Sequence, residues 1–395
     1  MNQLTRHILW ELVKVFLTAL VALTGMVVLI GLAMEAVRQG LGPLPVLRML
    51  PYILPDSLRF SVPATILMAV CMVYGRMSAS NEIVATKSLG ISPMSLMWPA
   101  LGMSFCVSLV AVWLNDIAVS WGQVGVQRVA IQSVEEIAYG MLRTQRSYSS
   151  DQFSINVKNV KDRKLVQPTI TFYGSGDAPT ILLVAEEAEL KFNPDEETLS
   201  VFLTNGMVDV EGEVTGYFDD RIERVIPLGD TEKDKKREDS PSRCPMWRIS
   251  SESAAQRQAI RTLEETLAVE AAYSLSTGDF AALASDRWQS RERELRIARE
   301  RLYRLKTEPW RRWANGFSCF FFCIVGAPLA VKLRKSDYLT VFFMCFTPIL
   351  LCYYPLLALG LKMAKGGELP PYSVWLGNAI CLLVGMWLLR SVNRH

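Results

Sequence analysis

Six long apolar runs and one long interval of short alternation divide the chain. The runs fall at residues 12–34, 52–75, 94–115, 313–331, 339–361 and 372–390. Each is near the ~20 residues a helix needs to cross hydrocarbon. Between the third and fourth runs the pattern changes. Residues 150–228 alternate apolar and polar positions in short pieces: QFSINVKNV, LVQPTITFYG, TILLVAEEAEL, LSVFLTN, GMVDVEG and RIERVIPL. The turn signals GSGDAP and NPDEE separate some of them. Period-two runs broken by such residues read as an antiparallel sandwich or roll. DTEKDKKREDSPSR (230–243) reads as a solvated linker. Residues 250–306 turn helical, with a break near STGDF (276–280). Leu295, Ile297, Leu302 and Leu305 give this segment a thin apolar stripe. It reads as a solvated helical hairpin, with a partner-binding or oligomerising surface as the alternative.

Two of the runs carry local complications. Pro51, Pro55, Asp56 and Arg59 precede the apolar core of the second and predict a broken or interfacial first turn. The first run, Val15 to Ala33, follows the basic start MNQLTRHILWELVKVF and is not followed by an A-x-A pattern. It is too long for the core of a signal peptide and reads as a retained span. The division along the chain is then 1–116 for three spans, 117–249 for the β-domain, 250–309 for the charged helical segment and 310–395 for three more spans.

Composition agrees with a mixed membrane and soluble protein. Half of the 395 residues are hydrophobic, and the net charge is +3. The mean hydropathy is +0.20. So small a charge gives no sign of nucleic-acid binding. Charge decides orientation. With the N-terminus inside, the inner short flanks carry nine bases (Arg6, Lys14, Arg76, Lys87, Lys332, Arg334, Lys335, Arg390, Arg394) and the outer ones four (Arg38, Arg48, Lys362, Lys365). That bias predicts both termini in the cytoplasm and residues 117–309 outside it. Arg311 and Arg312 run against the bias.

Several kinds of chemistry are excluded. The two histidines, His7 and His395, sit at the extreme ends, so no Ser-His-Asp triad fits the body of the chain. There is no G-x-x-x-x-G-K-[ST] to hold ATP. Seven of the eight cysteines lie in apolar runs, leaving Cys244 alone outside them, so no disulfide framework is expected. Cys319 and Cys323 share a helix face without a histidine nearby and read as packing residues rather than a metal site. Glu186, Glu187 and Glu189 cluster on one strand and read as solvent-facing. No cofactor and no enzymatic activity are expected of this chain.

VYGRMSASNEIVATKSLGIS (73–92) separates the second and third runs. Ser78 reads as its helix N-cap and Gly90 as its C′ residue, giving a helix over 78–90. Glu82 falls in the first turn and Lys87 near the end, as the helix dipole favours. Glu82, Ala85, Thr86 and Leu89 share one face. That face is either a docking surface for a partner or part of an interfacial connector, and helix physics alone leaves both open.

Here the sequence resembles the LptF/LptG permeases of the lipopolysaccharide export ABC transporter. The most specific block is LPYILPDSLRFSVPATILMAVCMVYGRMSASNEIVATKSLGIS, with P-A-x-x-L-M-A-V, then G-R-x-S-x-x-x-E, then A-x-x-S-x-G-I-S. RHILWELVKVFLTALVALT, WLNDIAV, RRWANGFSCFFFCIVGAPLAV and GGELPPYSVWLGNAICLLVGMWLLR are similar to the family's first-span start, third-span exit, fourth span and tail. The resemblance implies a membrane α-helical bundle of six transmembrane helices, three on each side of an inserted periplasmic antiparallel β-jellyroll-like domain. It implies a heterodimer with a second LptF/LptG-type permease on an LptB-like ATPase dimer that carries ATP and magnesium. LptC/LptA-like periplasmic proteins would complete the path. By position in the motif, Glu82 takes the place of the coupling-helix glutamate that enters the ATPase groove. Arg76, Ser78, Ala85, Ser88 and Gly90 support that helix. The 250–306 segment departs from the family in being longer and more charged.

The function implied is extraction of lipopolysaccharide, or a similar amphipathic glycolipid, from the bacterial inner membrane. Arg38, Arg48, Arg311 and Arg312 sit at the expected outer rim, where arginine suits phosphate. Interfacial anchoring by snorkelling is the alternative for each. The β-domain would carry acyl chains along its interior. Rival readings are a membrane-anchored periplasmic scaffold or sensor, and a permease for another lipid or lipoprotein.

Overall fold

The computed structural model describes residues 3–39, 43–122, 125–126, 129, 134–149, 153–161, 164–173, 180–193, 198–210, 214–227, 240–283, 285–333 and 338–394. The turn signal GSGDAP, residues 194–197 of NPDEE, most of the 230–243 linker and the stretch at 334–337 lie outside the described residues, as does the side chain of Arg38. The chain forms two compact units. One comprises Met1–Val27, Leu54–Trp121 and Ser240–His395; the other comprises Val28–Ile53 and Gly122–Asp239.

The first unit is helical. α1 (Gln3–Gln39), α2 (Pro43–Ala79), α3 (Glu82–Ser88) and α4 (Pro93–Ile117) come from the N-terminal half, with α1 and α2 continuing into the second unit. Among the described residues, six helices are long and apolar enough to cross a membrane. The expected break at the start of the second span does not occur, because α2 runs unbroken through Pro51 and Pro55. Asp56 and Arg59 pair one turn apart at 3.1 Å. Downstream, Ser61 and Thr65 hydroxyls donate back to the carbonyls of Ser57 and Ser61. Local pairs of this kind satisfy polar groups inside a span.

The second half begins with α6 (Met246–Thr277), a short α7 (Phe280–Leu283) and α8 (Asp286–Lys332); α5 (Val134–Gln145) belongs to the other unit. Gly278 at φ +75° closes α6, where a left-handed residue is needed. α6 and α8 form the expected hairpin. Ser253, Ile260, Leu267 and Ser274 are buried at seven-residue spacing along α6. Trp288, Arg291, Leu295, Ala298, Leu302 and Leu305 line α8 at alternating three- and four-residue steps, and all are at least partly buried. That is the seam of an antiparallel coiled coil. Arg299–Glu264 at 2.7 Å and Arg291–Glu270 at 2.9 Å flank it. Ile297 does not belong to the stripe; it is 60% exposed, off the three-four step. Nor does α8 stop before the fourth span: one 47-residue helix makes both the hairpin arm and the span, passing through Pro309. α9 (Tyr338–Pro348), a π-turn, α10 (Tyr354–Gly366) and α11 (Leu376–Arg394) complete the bundle.

α4 and α8 pack at backbone distance. A Cβ on Gly316 would lie 2.8 Å from the Val112 nitrogen, so only glycine fits there. The Ser108 hydroxyl accepts from the Phe320 amide at 3.1 Å across the same contact.

The second unit is a curled antiparallel, jellyroll-like sheet. Its strands among the described residues are β1 (Ser147–Ser149), β2 (Phe153–Asn156), β3 (Asn159–Lys161), β4 (Lys164–Val166), β5 (Thr169–Phe172), β6 (Ile181–Asn193), β7 (Thr198–Val210), β8 (Val214–Phe218) and β9 (Ile222–Pro227). β6 and β7 pair along their whole length and form the spine. β5 and β4 share the far edge of β6, while β8 and β9 share the far edge of β7. LSVFLTN and GMVDVEG therefore do not make separate strands; they join in β7 through Asn205, which sits at φ +51° with no change of register against β6. On β6 across from Asn205, Glu186 and Glu187 are both exposed, bonded to Asn205 and Lys164. Glu189 pairs with Arg221.

Register sets the core. Ile155, Ile170, Leu183 and Val208 form one row across four strands, and Leu165, Ala188 and Leu203 another. α5 (Val134–Gln145) covers this face with Ala138, Tyr139 and Leu142. β4 pairs with β6 only as far as Ala188, which leaves the next rungs of that edge to α5. The Leu190 amide donates to the Tyr139 hydroxyl at 2.9 Å, and the Phe192 amide donates to Glu135 at 3.1 Å. Helix side chains thus pack on this face of the sheet. Tyr139→Phe should strip Leu190 of its partner in a buried place, at a cost of about 1–3 kcal/mol. Faster hydrogen exchange at the Leu190 amide, with an otherwise unchanged sheet, is the expected readout.

Candidate functional site: a rooted surface helix

α3 is short, and its ends are fixed by neighbours rather than by length. Ser78 is not its N-cap. Ser78 lies inside α2, 3% exposed, and its hydroxyl donates to the Val331 carbonyl at 2.9 Å. The reason is that α2 continues to Ala79, so Ser78 is free to satisfy a carbonyl at the C-terminal end of α8. The cap position falls to Asn81 at φ 60°, in the left-handed conformation that asparagine tolerates. Ser80 links the turn, its hydroxyl lying 2.9 Å from both the Arg76 carbonyl and Glu82 Oε1, either of which can accept its proton.

The other end matches the sequence. The Gly90 amide donates to the Lys87 carbonyl at 3.0 Å and the Ile91 amide to the Thr86 carbonyl at 3.3 Å, with Gly90 at φ +80°. This is a Schellman closure, which requires glycine at its left-handed position. Ser88 bonds back to the Ala85 carbonyl at 2.7 Å, and Thr86 to the Glu82 carbonyl at 2.6 Å. Ser92 then caps α4, accepting from the Ser95 amide.

Three contacts root the helix. Ile83 is its buried residue and joins the main apolar cluster with Met77 and Leu96. Arg76 pairs with Glu11 on α1. The Tyr74 hydroxyl donates to the Leu96 carbonyl at 2.7 Å, tying α2 to α4. With Ile83 turned inward, the opposite face is presented outward. Glu82, Ala85 and Leu89 are exposed, Leu89 by 78%, and Thr86 is half-buried. The structure thus brings together the four residues expected to share a face. Such a face offers one carboxylate, one small residue and one apolar knob on a held platform.

A second constellation, which sequence reasoning missed as a unit, lies elsewhere on α8. Arg312 is 1% exposed and is the largest fully buried side chain among the described residues. Its guanidinium donates to Asp116 Oδ1 at 2.5 Å and to the Cys244 carbonyl at 2.5 Å. The same Asp116 oxygen accepts the Met246 amide at 3.0 Å. Glu308, fully buried, lies 2.6 Å from Arg311 and 3.6 Å from Lys365. The expected rim role does not fit Arg311 and Arg312, because both are turned inward onto carboxylates of the same chain. Arg48 is exposed. Burial and the nearby Glu252 hold the Cys244 thiol above its usual range, so it packs as a neutral group. The acid one helical turn before Arg312, at i−4, was the available sequence signal; its partner 196 residues away was not.

A search among curated proteins finds no match for the chain. A family model, that of the lipopolysaccharide export system permease LptF/LptG, matches residues 6–391. The match takes in all six apolar helices, the curled sheet between them and the α3 face. The chain belongs to the LptF/LptG family of lipopolysaccharide export system permeases.

Proposed function

We propose that this chain is the permease half-subunit of an ABC transporter, moving lipopolysaccharide or a similar amphipathic glycolipid out of the inner membrane. The observation that carries the reading is the α3 face, exposed yet held by the buried Ile83 beside an α2 end that Ser78 ties to α8 and Arg76 ties to α1. An ATPase dimer would receive Glu82 in a groove, with Ala85 allowing close approach, Thr86 and Leu89 completing the contact and Gly90 closing the helix. The chain lacks a P-loop, so ATP and magnesium would sit on that partner. Closure of the ATPase would move α3, and through Ser78 and Val331 the end of α8.

In this reading α3 and both termini are cytoplasmic and the sheet is periplasmic, as the basic flanks favour. A second LptF/LptG-type permease would complete the lipid cavity between the two bundles. The exposed Arg48, with Arg38, would meet lipid phosphate at its outer edge. LptC/LptA-like proteins would take the lipid onward.

Purifying the tagged full chain from its native membranes tests the proposal. The expected companions are one ATPase and one related permease. A chain that comes out without an ATPase would favour a membrane-anchored periplasmic scaffold or sensor instead.

A further inference from the structure

A cleft runs along the root of α3 where three span helices end. One lobe, about 200 Å³, lies between Ile83, Val84 and Lys87 of α3 and Val331 and Lys332 of α8. The other, about 320 Å³, lies between Met94 and Met97 of α4 and Met386, Leu389 and Arg390 of α11. The lobes adjoin, since Pro93 and Val392 line both. The charges along them are Lys87, Lys332 and Arg390; no acid lines either lobe among the described residues. Glu82 is turned toward Ser80 and Glu11 is paired with Arg76, so neither neighbouring acid neutralises the three cations.

The position of the cleft decides what could fill it. α4 begins here and α8 and α11 end here, each an apolar span. Trp98 on α4 and Trp387 on α11 are exposed, and Lys332 Nζ lies 5.6 Å from the Trp387 ring centre. Exposed tryptophan beside lysine at a span end marks the boundary between hydrocarbon and water. The methionine lobe is therefore level with acyl chains and the cationic side with head groups. Methionine adapts to a flexible apolar chain better than a branched residue does.

We infer that this cleft binds one anionic phospholipid of the bilayer, its phosphate among Lys87, Lys332 and Arg390 and the upper part of an acyl chain along Met94, Met97 and Met386. A neutral, zwitterionic lipid would fit the apolar lobe but bring a cation of its own against three. Free phosphate would leave the apolar lobe empty. The lipid would sit as a wedge behind Ile83, between α3 and the ends of α8 and α11, and so set how firmly α3 is seated.

The test uses the full chain, purified alone in nonionic detergent and stripped of lipid. Phosphatidylglycerol or phosphatidylcholine is added back, and bound lipid is counted by native mass spectrometry. Wild type should retain phosphatidylglycerol in preference to phosphatidylcholine. The triple variant Lys87→Ala, Lys332→Ala, Arg390→Ala should lose that retention by roughly tenfold. The charge-keeping triple Lys87→Arg, Lys332→Arg, Arg390→Lys should preserve it. All three side chains are exposed, so circular dichroism should be unchanged. Equal retention of the two lipids by wild type would overturn the inference, as would undiminished phosphatidylglycerol on the alanine triple. If that triple keeps its lipid but loses an ATPase on co-purification, the cleft belongs to an acidic protein surface instead. Because the measurement needs no partner, it stands or falls separately from the coupling role of Glu82.

Discussion

A chain carrying Glu82→Lys is expected to insert and fold as wild type does, yet to lose its ATPase partner or uncouple ATP hydrolysis from lipid release by tenfold or more. Two costs are separable. Within the chain, Glu82 gains from the α3 dipole and from the Ser80 hydroxyl at 2.9 Å. An exposed first-turn charge of this kind contributes about 0.3–1 kcal/mol, so its reversal barely moves overall stability. At an interface the same reversal places a cation in a site shaped for a carboxylate. Truncating one member of a buried charge pair costs about 2–5 kcal/mol, and a like charge costs more. Two readouts therefore diverge: thermal stability of the isolated chain holds, while ATPase retention collapses. Glu82→Gln should fall between, since it keeps a hydrogen-bonding oxygen without the charge. If Glu82→Lys leaves assembly and export intact, α3 is a connector and not a coupling helix.

Arg312→Ala is expected to destabilise the bundle by about 3–5 kcal/mol, the range found when a buried ion pair loses one partner. For a chain of this size that corresponds to a fall in melting temperature on the order of 10 °C. The cost arises because three structures share this guanidinium. Asp116 ends α4, the Cys244 carbonyl and the Met246 amide lead into α6, and Glu308 lies one turn back on α8. Removing Arg312 leaves Asp116 without its cation and the Cys244 carbonyl without its donor. The double change Arg312→Met with Asp116→Asn removes both charges together and should cost clearly less than the two single changes summed. Thermal unfolding in detergent gives all four corners of the cycle. Additive single and double effects would show that the pair does not interact.

These two arginine and glutamate sites were unequally legible. The α3 face that carries Glu82 is legible because the signals for its spacing and its C-terminal end are local. Gly90, Lys87 and the three-four spacing of Ala85, Thr86 and Leu89 lie within one turn or two of it. Arg312 was misassigned to an exposed rim because its partners are distant in sequence, and an arginine at the edge of an apolar run looks the same whether it turns out or in. Ser78 failed for a related reason. Its character as a cap was correct for an isolated helix, but the end of α8 supplied a better acceptor in Val331.

The sequence by itself determined the six spans, the alternating segment between them, the charged hairpin and the face of α3. Each is a matter of period and composition, which act over a few residues and need no partner. Tertiary structure alone decided that α8 is one continuous helix, that α5 fills the face of the sheet, and that Asp116, Cys244, Glu308 and Arg312 meet. Those outcomes depend on which buried polar groups find one another once water is excluded. That is set by contacts between residues far apart in the chain, where a single hydrogen bond outweighs local preference.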